Sequence, residues 1–515
     1  MSVRVLLIVI DAATPRVVCP AIETGRLPVL QRLADAGAMH QSSVSIFPSI
    51  TPAATSSIAT GCYPAEHGIA GASWYDASRD EVAYYGDDFW VIAREGAGDF
   101  IRDFLLRLNG DRLRAPTLFQ MIERTGRRAA CLNYLVFKGD QPHDADVPAV
   151  MAAVPGVPLS ATVLGPSTLN LGDFVGSRGP GRRRIDRKAG VLHRFGMDDA
   201  STGTMLQDLM ATGGLPDFTI AYFADNDYLS HHVGPVEALT TLDKIDAMLG
   251  EAFAAAGGIE RVLEDTIVVV TSDHSHCEIL ADADRAVISL DRVLADFRQA
   301  ALGRPWRQGD EIMICPNMRA VQIYVREPTA DRISRIAGAV LRDLRVDQVM
   351  WRTALTRPGA AGYTVASGRG RLEFRAASGA ASGDAFGGAW SWSGEGAALG
   401  LEQDGARLHY SDYPNAFERI ANILELGQSG EIRATAGLGC EFEVPGGEAH
   451  VAGASHGSLH SLDSLSPVIG AGGGVRQALP REMRLVDIAP LCMQLLGVPM
   501  RYRVGDPRRP APSRA

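Results

Sequence analysis

Three aspartates lie just beyond short apolar segments of the chain. Asp11 directly follows one such segment, Asp273 directly follows another, and Asp227 comes four residues after a third. If the segments are parallel strands, their carboxyl ends meet at one edge of a sheet and the three side chains lie together. Each aspartate alone is equally well explained as a helix N-cap. Three carboxylates that converge repel one another, however, so the pattern predicts a positive charge among them.

Three histidines accompany these aspartates. His231 follows Asp227 by four residues, a spacing that places both on one face of a helical turn and suits two ligands of one metal ion. His274 is adjacent to Asp273, and His456 lies in the glycine-flanked segment "GASHGS". A single histidine is most often a structural or surface residue, but three histidines beside three aspartates favour a metal site.

The ligand types indicate which metal to expect. Mixed carboxylate and imidazole ligands fit Zn²⁺ first, with Mn²⁺, Fe and Co²⁺ as alternatives. His232 and His276 are neighbours of the predicted ligands but lack the spacing of ligands, so the predicted set excludes them.

The segment "FPSITPAATSSIATG", residues 47–61, supplies a candidate nucleophile. A predicted strand ends before it, and Pro52 suits the first position of a helix. Thr51 is then the N-cap, at a helix amino terminus that favours negative charge. An N-cap threonine alone is unremarkable, but a hydroxyl that faces a metal site can lose its proton near neutral pH and act as a nucleophile. The predicted ligands around it favour this role for Thr51.

The composition is that of an ordinary globular protein. Of 515 residues, 46% are hydrophobic and 21% are charged, and the formal net charge is −10. This negative charge argues against binding to nucleic acid polymers or to membranes. The seven cysteines form no CxxC pair, which indicates a reducing compartment. The first apolar run is shorter than that of a signal peptide, and no run reaches the roughly 18 residues of a membrane span, so we expect a cytoplasmic protein.

Strand and helix patterns alternate along most of the chain, which predicts an α/β fold with a mostly parallel sheet and helices on both of its faces. Nearly continuous apolar runs, typical of strands buried on both faces, lie at 3–10, 129–136, 218–223, 266–272 and 466–472. Helical patterns lie at 27–37, 117–126, 235–258 and 485–498.

A region in the second half of the chain differs from this alternation. It contains a Gly/Ser-rich stretch with short alternating segments at 362–405, which predicts an α+β insertion that caps the site. The aromatic residues at 389–392 and 409–413 are better explained by a small core than by a pocket. The sequence predicts three parts. They are a catalytic core at residues 1–289 and 449–502, an inserted cap at 290–448 and a disordered tail at 503–515.

Five motifs occur in one order along the chain: "IDA", "FPSITPAATSSIATGCYPAEHGI", "DNDYLSHHVGP", "TSDHSH" and "GASHGS". In these motifs the sequence resembles the alkaline phosphatase superfamily, and within it the type I phosphodiesterase/nucleotide pyrophosphatase family. The resemblance implies two divalent metal ions. One would be bound by Asp227, His231 and His456, and the other by Asp11, Thr51, Asp273 and His274.

Two positions depart from the pattern of that family. Ala72 stands where the family has an asparagine that binds a phosphoryl oxygen, and Pro52 stands where it has an aromatic residue that stacks on a base. The other stacking aromatic is retained as Tyr222. Asn133 or Lys138, close to the end of the predicted strand 129–136, could replace the missing oxygen donor, although a capping amide and a solvated lysine explain them equally well.

The resemblance implies hydrolysis of a small phosphate ester through a threonine nucleophile and a phosphothreonine intermediate. A phosphodiesterase or nucleotide pyrophosphatase is the favoured interpretation. A phosphomonoesterase is the alternative if Lys138 or the basic segment "GRRRIDRK" at 181–188 binds a dianionic phosphate. A non-catalytic metal-binding protein is a third, weaker hypothesis, because neither the ligands nor the nucleophile are missing.

Overall fold

The structure, a computed structural model, describes residues 3–86, 102–146, 160–176, 195–377, 381–443 and 449–507. The basic segment at 181–188 and the end of the predicted tail, 508–515, lie outside these residues. Within them, no helix is long and apolar enough to span a membrane.

A nine-stranded central sheet forms the middle of the catalytic core. Its four central neighbours, Thr266–Thr271, Arg4–Ile10, Phe218–Phe223 and Ala129–Leu132, are parallel. From edge to edge, the strands are Met483–Arg484, Gly37–Val44, Leu465–Ala471, Thr266–Thr271, Arg4–Ile10, Phe218–Phe223, Ala129–Leu132, Thr168–Leu171 and Val175–Gly176. The predicted fold class, a mostly parallel sheet, is confirmed.

Residues of the strand Arg4–Ile10 alternate between two hydrophobic layers, because successive side chains of a strand point to opposite faces. Val5, Leu7 and Val9 belong to one layer and Leu6, Ile8 and Ile10 to the other. The helices packed in the first layer are Thr51–Thr60, Leu118–Glu123 and Ile488–Leu495. Those in the second are Pro15–Glu23, Pro28–Ala36, Asp199–Ala211, Leu239–Ala255 and Ile259–Leu263. Burial on both faces explains why these strands are continuously apolar.

The predicted insertion contains a ten-stranded sheet in which the consecutive hairpins are antiparallel. In spatial order, its strands are Ile312–Asn317, Ala320–Val325, Ile432–Ala436, Val346–Arg352, Tyr363–Ser367, Gly370–Ala376, Ala389–Gly394, Ser382–Gly383, Arg407–Tyr410 and Leu401–Asp404. The helices Ala330–Leu341 and Ala416–Leu424 belong to the same region. The second is buried along its whole length, so it lies inside the molecule.

The insertion and the catalytic core share a hydrophobic layer. Phe374, Trp390 and Phe417 of the insertion belong to the cluster that also contains Val5 and Phe47. The rings of Phe374 and Phe417 stack with their centroids 4.0 Å apart, and Trp390 contacts both edge-on. Of the aromatics that were predicted to form a core, Trp390 and Tyr413 are buried in this cluster and Trp392 and Tyr410 pack against it, so that prediction is confirmed. The domain boundaries at 289 and 448 stay predictions.

Shorter elements connect these layers. The paired short strands are Ser73–Asp76 with Glu81–Tyr84, Gln141–Asp146 with Ser160–Gly165, Cys277–Glu278 with Ala454–Ser455, and Val287–Ile288 with Glu441–Phe442. The short helices are Pro64–His67, Asp103–Arg112, Asp225–Val233, Ala283–Ala286, Leu290–Val293, Thr353–Leu355, Gly396–Leu399, Ser461–Ser464, Val475–Ala478 and Leu485–Asp487.

Two predicted boundaries are wrong. The strand predicted at 129–136 ends at Leu132, because Asn133 has a positive φ of 56° and leaves the extended conformation. The start of the predicted disordered tail is folded: Gly505 N–H donates to Asp487 at 3.2 Å, and Arg484 donates to the carbonyl of Asp506 at 2.6 Å. These hydrogen bonds attach the chain to the core up to about residue 506.

Candidate metal centre

One group of predicted ligands converges at the carboxyl edge of the central sheet. Asp11 follows the strand Arg4–Ile10, and Asp273 and His274 follow the neighbouring strand Thr266–Thr271. His274 Nε2 lies 3.5 Å from Asp11 Oδ1 and 3.4 Å from Asp273 Oδ2. The parallel strands therefore bring these three side chains together, as the sequence predicts.

Thr51 reaches this group from the start of the helix Thr51–Thr60. Its Oγ1 lies 3.0 Å from His274 Nε2. The helix begins one position earlier than predicted: Ile50 is the N-cap, Thr51 the first helical residue and Pro52 the second. The predicted N-cap role of Thr51 is therefore wrong, but its hydroxyl still lies beside the helix amino terminus and faces the predicted ligands.

A second group of predicted ligands lies on the adjoining helix and loop. Asp227 and His231 occupy successive turns of the helix Asp225–Val233, with Asp227 Oδ2 3.4 Å from His231 Nε2. His456 Nε2 lies 3.7 Å from Asp227 Oδ1. Asp227 also belongs to the first group, because one of its oxygens lies within 4.8 Å of ligand atoms of Asp11 and His274. The two groups are thus adjacent and meet at Asp227.

The two histidines of the second group are oriented by backbone carbonyls. His231 Nδ1 lies 2.8 Å from the carbonyl oxygen of Ala454, and His456 Nδ1 lies 2.8 Å from that of Ser49. A carbonyl oxygen only accepts, so each ring donates its Nδ1 proton and presents the Nε2 lone pair toward Asp227. This is the arrangement in which histidine binds metal ions.

The electrostatics of the cluster favour a bound cation. Burial, together with the charges of Asp273 and Asp227, raises the pKa of Asp11 well above its usual value. Burial also raises the pKa of Asp273. Burial lowers the pKa of His456, with a further contribution from His274. A divalent cation among these groups would favour the ionised form of the carboxylates and would keep the histidine neutral.

Unsatisfied polar atoms test whether the residues fit a metal ion. Asp11 Oδ1, Asp273 Oδ2 and His456 Nε2 are buried and have no hydrogen-bond partner among the described residues. A buried polar atom without a partner is costly, and these three are atoms that the predicted ligand sets direct at a cation. The donor set, carboxylate oxygen and imidazole nitrogen, suits Zn²⁺. The residues present therefore fit divalent metal ions.

His276, which the sequence interpretation excluded, also belongs to the second group. It is fully buried, and its Nε2 lies 2.8 Å from Asp227 Oδ1. Burial, with a further contribution from His231, lowers the pKa of His276 to about 3, so the ring is neutral. The only feature of the sequence that indicated a role for His276 was its position two residues after His274, and that spacing does not correspond to one face of a helix. The loop geometry, which turns both rings to the same side, was not predictable from it.

Tyr222 lies in the strand Phe218–Phe223, and its hydroxyl donates a hydrogen bond to Asp11 Oδ2. The residue is buried, and its ring contacts Tyr134 edge-on, with centroids 5.5 Å apart. These contacts describe a side chain that orients Asp11, a predicted metal ligand. The predicted stacking on a base has no support from the described contacts and stays untested.

The structure does not bring Asn133 or Lys138 into the cluster. The Asn133 amide donates to Gly196 O at 2.9 Å and accepts from Gly172 N–H at 2.9 Å. Lys138 Nζ donates to the carbonyls of Leu113 and Gly110, at 2.7 and 3.3 Å. Both sets of contacts are structural, so a substrate-binding role for these residues remains a prediction that the geometry does not favour.

Residues of the insertion position the loops that carry Thr51 and His456. Arg419 donates to Ile46 O at 3.0 Å and to Leu459 O at 2.9 Å. Arg319 N–H donates to His456 O at 2.9 Å, and its guanidinium pairs with Asp463. Both arginines are fully buried, so the insertion is part of the scaffold of the site.

Comparisons with known proteins show the family and the fold of this chain. The family model of the type I phosphodiesterase/nucleotide pyrophosphatases matches residues 5–349. A comparison with curated protein sequences finds no match. Among solved structures, the phosphonoacetate hydrolase of Sinorhizobium meliloti 1021, in complex with phosphonoacetate, is similar with a TM-score of 0.56, 18% identity and 96% coverage of both chains.

Two mammalian structures are similar to the same extent. Murine ectonucleotide pyrophosphatase/phosphodiesterase 5 has a TM-score of 0.56 and 12% identity, and the human protein has a TM-score of 0.55 and 12% identity. In both comparisons, the alignment covers 98% of this chain and 97% of the other chain. At these identities the likeness establishes a shared fold, which includes the insertion. The family match over residues 5–349 shows that the chain belongs to the type I phosphodiesterase/nucleotide pyrophosphatase family and is a phosphoric ester hydrolase.

Proposed function

We propose that the chain hydrolyses a small phosphodiester with Thr51 as the nucleophile, in a site that holds two divalent metal ions. The observation that carries the proposal is the position of the Thr51 hydroxyl, 3.0 Å from His274 Nε2 and in the same cluster as two buried carboxylates. Thr51 and Asp227 are partly exposed while Asp11, Asp273, His274 and His456 are buried, so a substrate reaches the cluster on the side of the hydroxyl.

The proposed ligands are those that the sequence predicts: Asp227, His231 and His456 for one ion, and Asp11, Thr51, Asp273 and His274 for the other. Bound there, the ions supply a lowered pKa for the threonine hydroxyl and compensation for the negative charge of the phosphoryl oxygens. Zn²⁺ fits the ligand types best.

The residues of the chain define the reaction steps. The Thr51 hydroxyl gives its proton to solvent and Oγ attacks phosphorus, so that an Oγ–P bond forms while the bond from phosphorus to the leaving oxygen breaks. The leaving oxygen takes up a proton from water. The amino terminus of the helix Thr51–Thr60 favours the added negative charge. Water then attacks the phosphothreonine, the Oγ–P bond breaks, and the Thr51 hydroxyl is restored. Two in-line displacements leave the configuration at phosphorus unchanged.

The described contacts favour a diester over a monoester. A dianionic monoester needs an additional positive side chain. One predicted candidate, Lys138, bonds two backbone carbonyls, and the other, the basic segment at 181–188, lies outside the described residues. Ala72, at the position of the family's asparagine, carries no side-chain donor, and its backbone N–H donates to Asn317 at 2.7 Å. The phosphomonoesterase alternative therefore has no support from the described residues, and the diester remains the proposed substrate.

The proposal is tested with Thr51→Ala and Thr51→Ser, measured on an aryl phosphodiester and the matching monoester. We expect a strong diester preference, loss of most turnover in Thr51→Ala with both metal ions retained by elemental analysis, and partial activity in Thr51→Ser. Mass spectrometry of acid-quenched wild-type enzyme should find phosphate on the peptide that contains Thr51. Thr60→Ala is the matched control, because the Thr60 hydroxyl bonds Ser56 O at 2.7 Å, at the other end of the same helix.

Turnover by Thr51→Ala within threefold of wild type would remove Thr51 from the reaction. A preference for the monoester would instead support the phosphomonoesterase alternative, with Thr51 still the proposed nucleophile.

A further inference from the structure

His276 makes two hydrogen-bonding contacts that together define its role. Its Nε2 lies 2.8 Å from Asp227 Oδ1, and its Nδ1 lies 2.6 Å from Ser230 Oγ. Ser230 is fully buried on the helix that carries Asp227. The ring can therefore act in one of two ways: as a further metal ligand through Nε2, or as a hydrogen-bond donor that orients Asp227.

Counting protons distinguishes these two roles. If Nε2 bound a metal ion, the ring proton would be on Nδ1 and would point at Ser230 Oγ. The buried Ser230 hydroxyl would then need an acceptor of its own, and His276 is its only hydrogen-bond partner in the described part of the chain. If Ser230 donates to Nδ1 instead, the ring proton is on Nε2 and points at Asp227. In that arrangement every proton has an acceptor.

Distance supports the second arrangement. Two ligand atoms about 2.0–2.1 Å from one tetrahedral ion lie roughly 3.3 Å apart. Asp227 Oδ2 and His231 Nε2 lie 3.4 Å apart, as two ligands of one ion would. His276 Nε2 and Asp227 Oδ1 lie only 2.8 Å apart, the distance of a hydrogen bond to a carboxylate.

We propose that His276 is a positioning residue for Asp227: Ser230 Oγ–H donates to His276 Nδ1, and His276 Nε2–H donates to Asp227 Oδ1. The bond holds the carboxylate with Oδ2 directed toward the cation shared with His231. It also leaves that ion with three protein ligands and an open position, which the leaving oxygen of the substrate requires. The inference rests on the metal-binding part of the proposed function.

The test compares His276→Ala with His276→Gln, because the glutamine amide places an N–H donor near the position of Nε2. Zn²⁺ affinity is measured by chelator competition, and the coordination of Co²⁺-substituted protein by its visible absorption spectrum. Loss of such an outer hydrogen bond typically weakens metal binding about 10- to 100-fold. We expect His276→Ala to bind one of the two ions about 10- to 100-fold more weakly. His276→Gln should bind it less than about threefold more weakly, and the Co²⁺ band shape should be the same in both variants.

Two further variants separate positioning from packing. Ser230→Ala removes the donor to Nδ1 and should weaken the same ion while the imidazole stays in place. His67→Ala is the matched control, since His67 is also fully buried and its Nε2 bonds a serine, Ser57, at 3.1 Å. It should lower the melting temperature without changing metal affinity.

Three results would overturn the inference. Equal weakening in His276→Gln and His276→Ala, with an altered Co²⁺ spectrum, would make His276 a ligand. Unchanged metal affinity in both variants, in folded protein that binds two ions, would make it a packing residue and leave the proposed function intact. Wild-type protein that binds no metal ion would overturn the proposed function, and this inference with it.

Discussion

Replacing Tyr222 with phenylalanine separates two roles for this residue. The phenyl ring keeps the edge-on contact with Tyr134 and any stacking surface, but it loses the hydroxyl that donates to Asp11 Oδ2. Asp11 Oδ1 already has no hydrogen-bond partner among the described residues. The Tyr222→Phe variant therefore leaves a buried carboxylate with less support for its charged form, the form that binds a metal ion.

The magnitude follows from the two protonation states of Asp11. Burial raises the pKa of Asp11 and so opposes ionisation of the carboxyl, which metal binding requires. A hydrogen bond to a charged group contributes about 1.5–3 kcal/mol and a neutral one about 0.5–1.5 kcal/mol. The difference, about 1–1.5 kcal/mol, is the part that favours the ionised form. It corresponds to roughly a five- to tenfold weaker metal affinity.

The assay is chelator competition at constant pH for wild type, Tyr222→Phe and the matched control Tyr134→Phe. The Tyr134 hydroxyl bonds a neutral carbonyl, Thr55 O, at 2.8 Å, so its loss should reduce stability by about 1 kcal/mol without changing metal affinity. A change of less than twofold in Tyr222→Phe would refute the positioning role. Stacking on a base would be favoured instead if Tyr222→Phe had an unchanged metal affinity and Tyr222→Ala, but not Tyr222→Phe, had a raised KM for nucleotide substrates.

Three further predictions concern the scaffold. Arg319→Met should lower the free energy of unfolding by about 3–5 kcal/mol, because the charge of Asp463 is left buried without its ion-pair partner. Adding Asp463→Asn should restore part of the lost stability. A loss below 1 kcal/mol in urea unfolding would contradict this. Burial, with the Arg114 charge, lowers the pKa of His67 from 6.5 to about 3. Below pH 6.5 the unfolded state therefore binds a proton that the folded state does not, and the free energy of unfolding falls by about 2 kcal/mol by pH 5. His67→Gln should lack this loss when unfolding is compared at pH 7 and pH 5. Asn133→Ala should destabilise the protein by about 1–3 kcal/mol while KM stays within twofold; a tenfold rise in KM in stable protein would restore Asn133 to the substrate site.

Local sequence patterns were sufficient for the central strands of the core and for the convergence of the candidate metal ligands. The continuous apolar runs predicted the central parallel strands, because burial on both faces requires such runs. The position of Asp11 and Asp273 just after strands predicted their convergence, because the edge of a parallel sheet collects the carboxyl ends of its strands. The four-residue spacing of Asp227 and His231 predicted that both lie on one face of a helix, and the structure has their side chains there, 3.4 Å apart.

Contacts between distant elements were not predictable in the same way. His276 reaches Asp227 across 49 positions of sequence, and the direction of its ring depends on a loop rather than on a helix or strand period. The sequence suggested substrate stacking for Tyr222, which no described contact tests, but it did not predict that the hydroxyl donates to Asp11 or that the ring packs on Tyr134. Sequence spacing within one element contains no information about either contact.

The sequence alone therefore established the fold class and the family and located the candidate metal ligands, since each depends on local periodicity or on short motifs. The tertiary structure established which neighbours support those residues: Arg319 and Arg419 of the insertion hold the loops of His456 and Thr51, and His276 and Tyr222 contact the ligand carboxylates. The physical reason is that a side chain's hydrogen-bond partner depends on rotamers and on the packing of elements far apart in the chain.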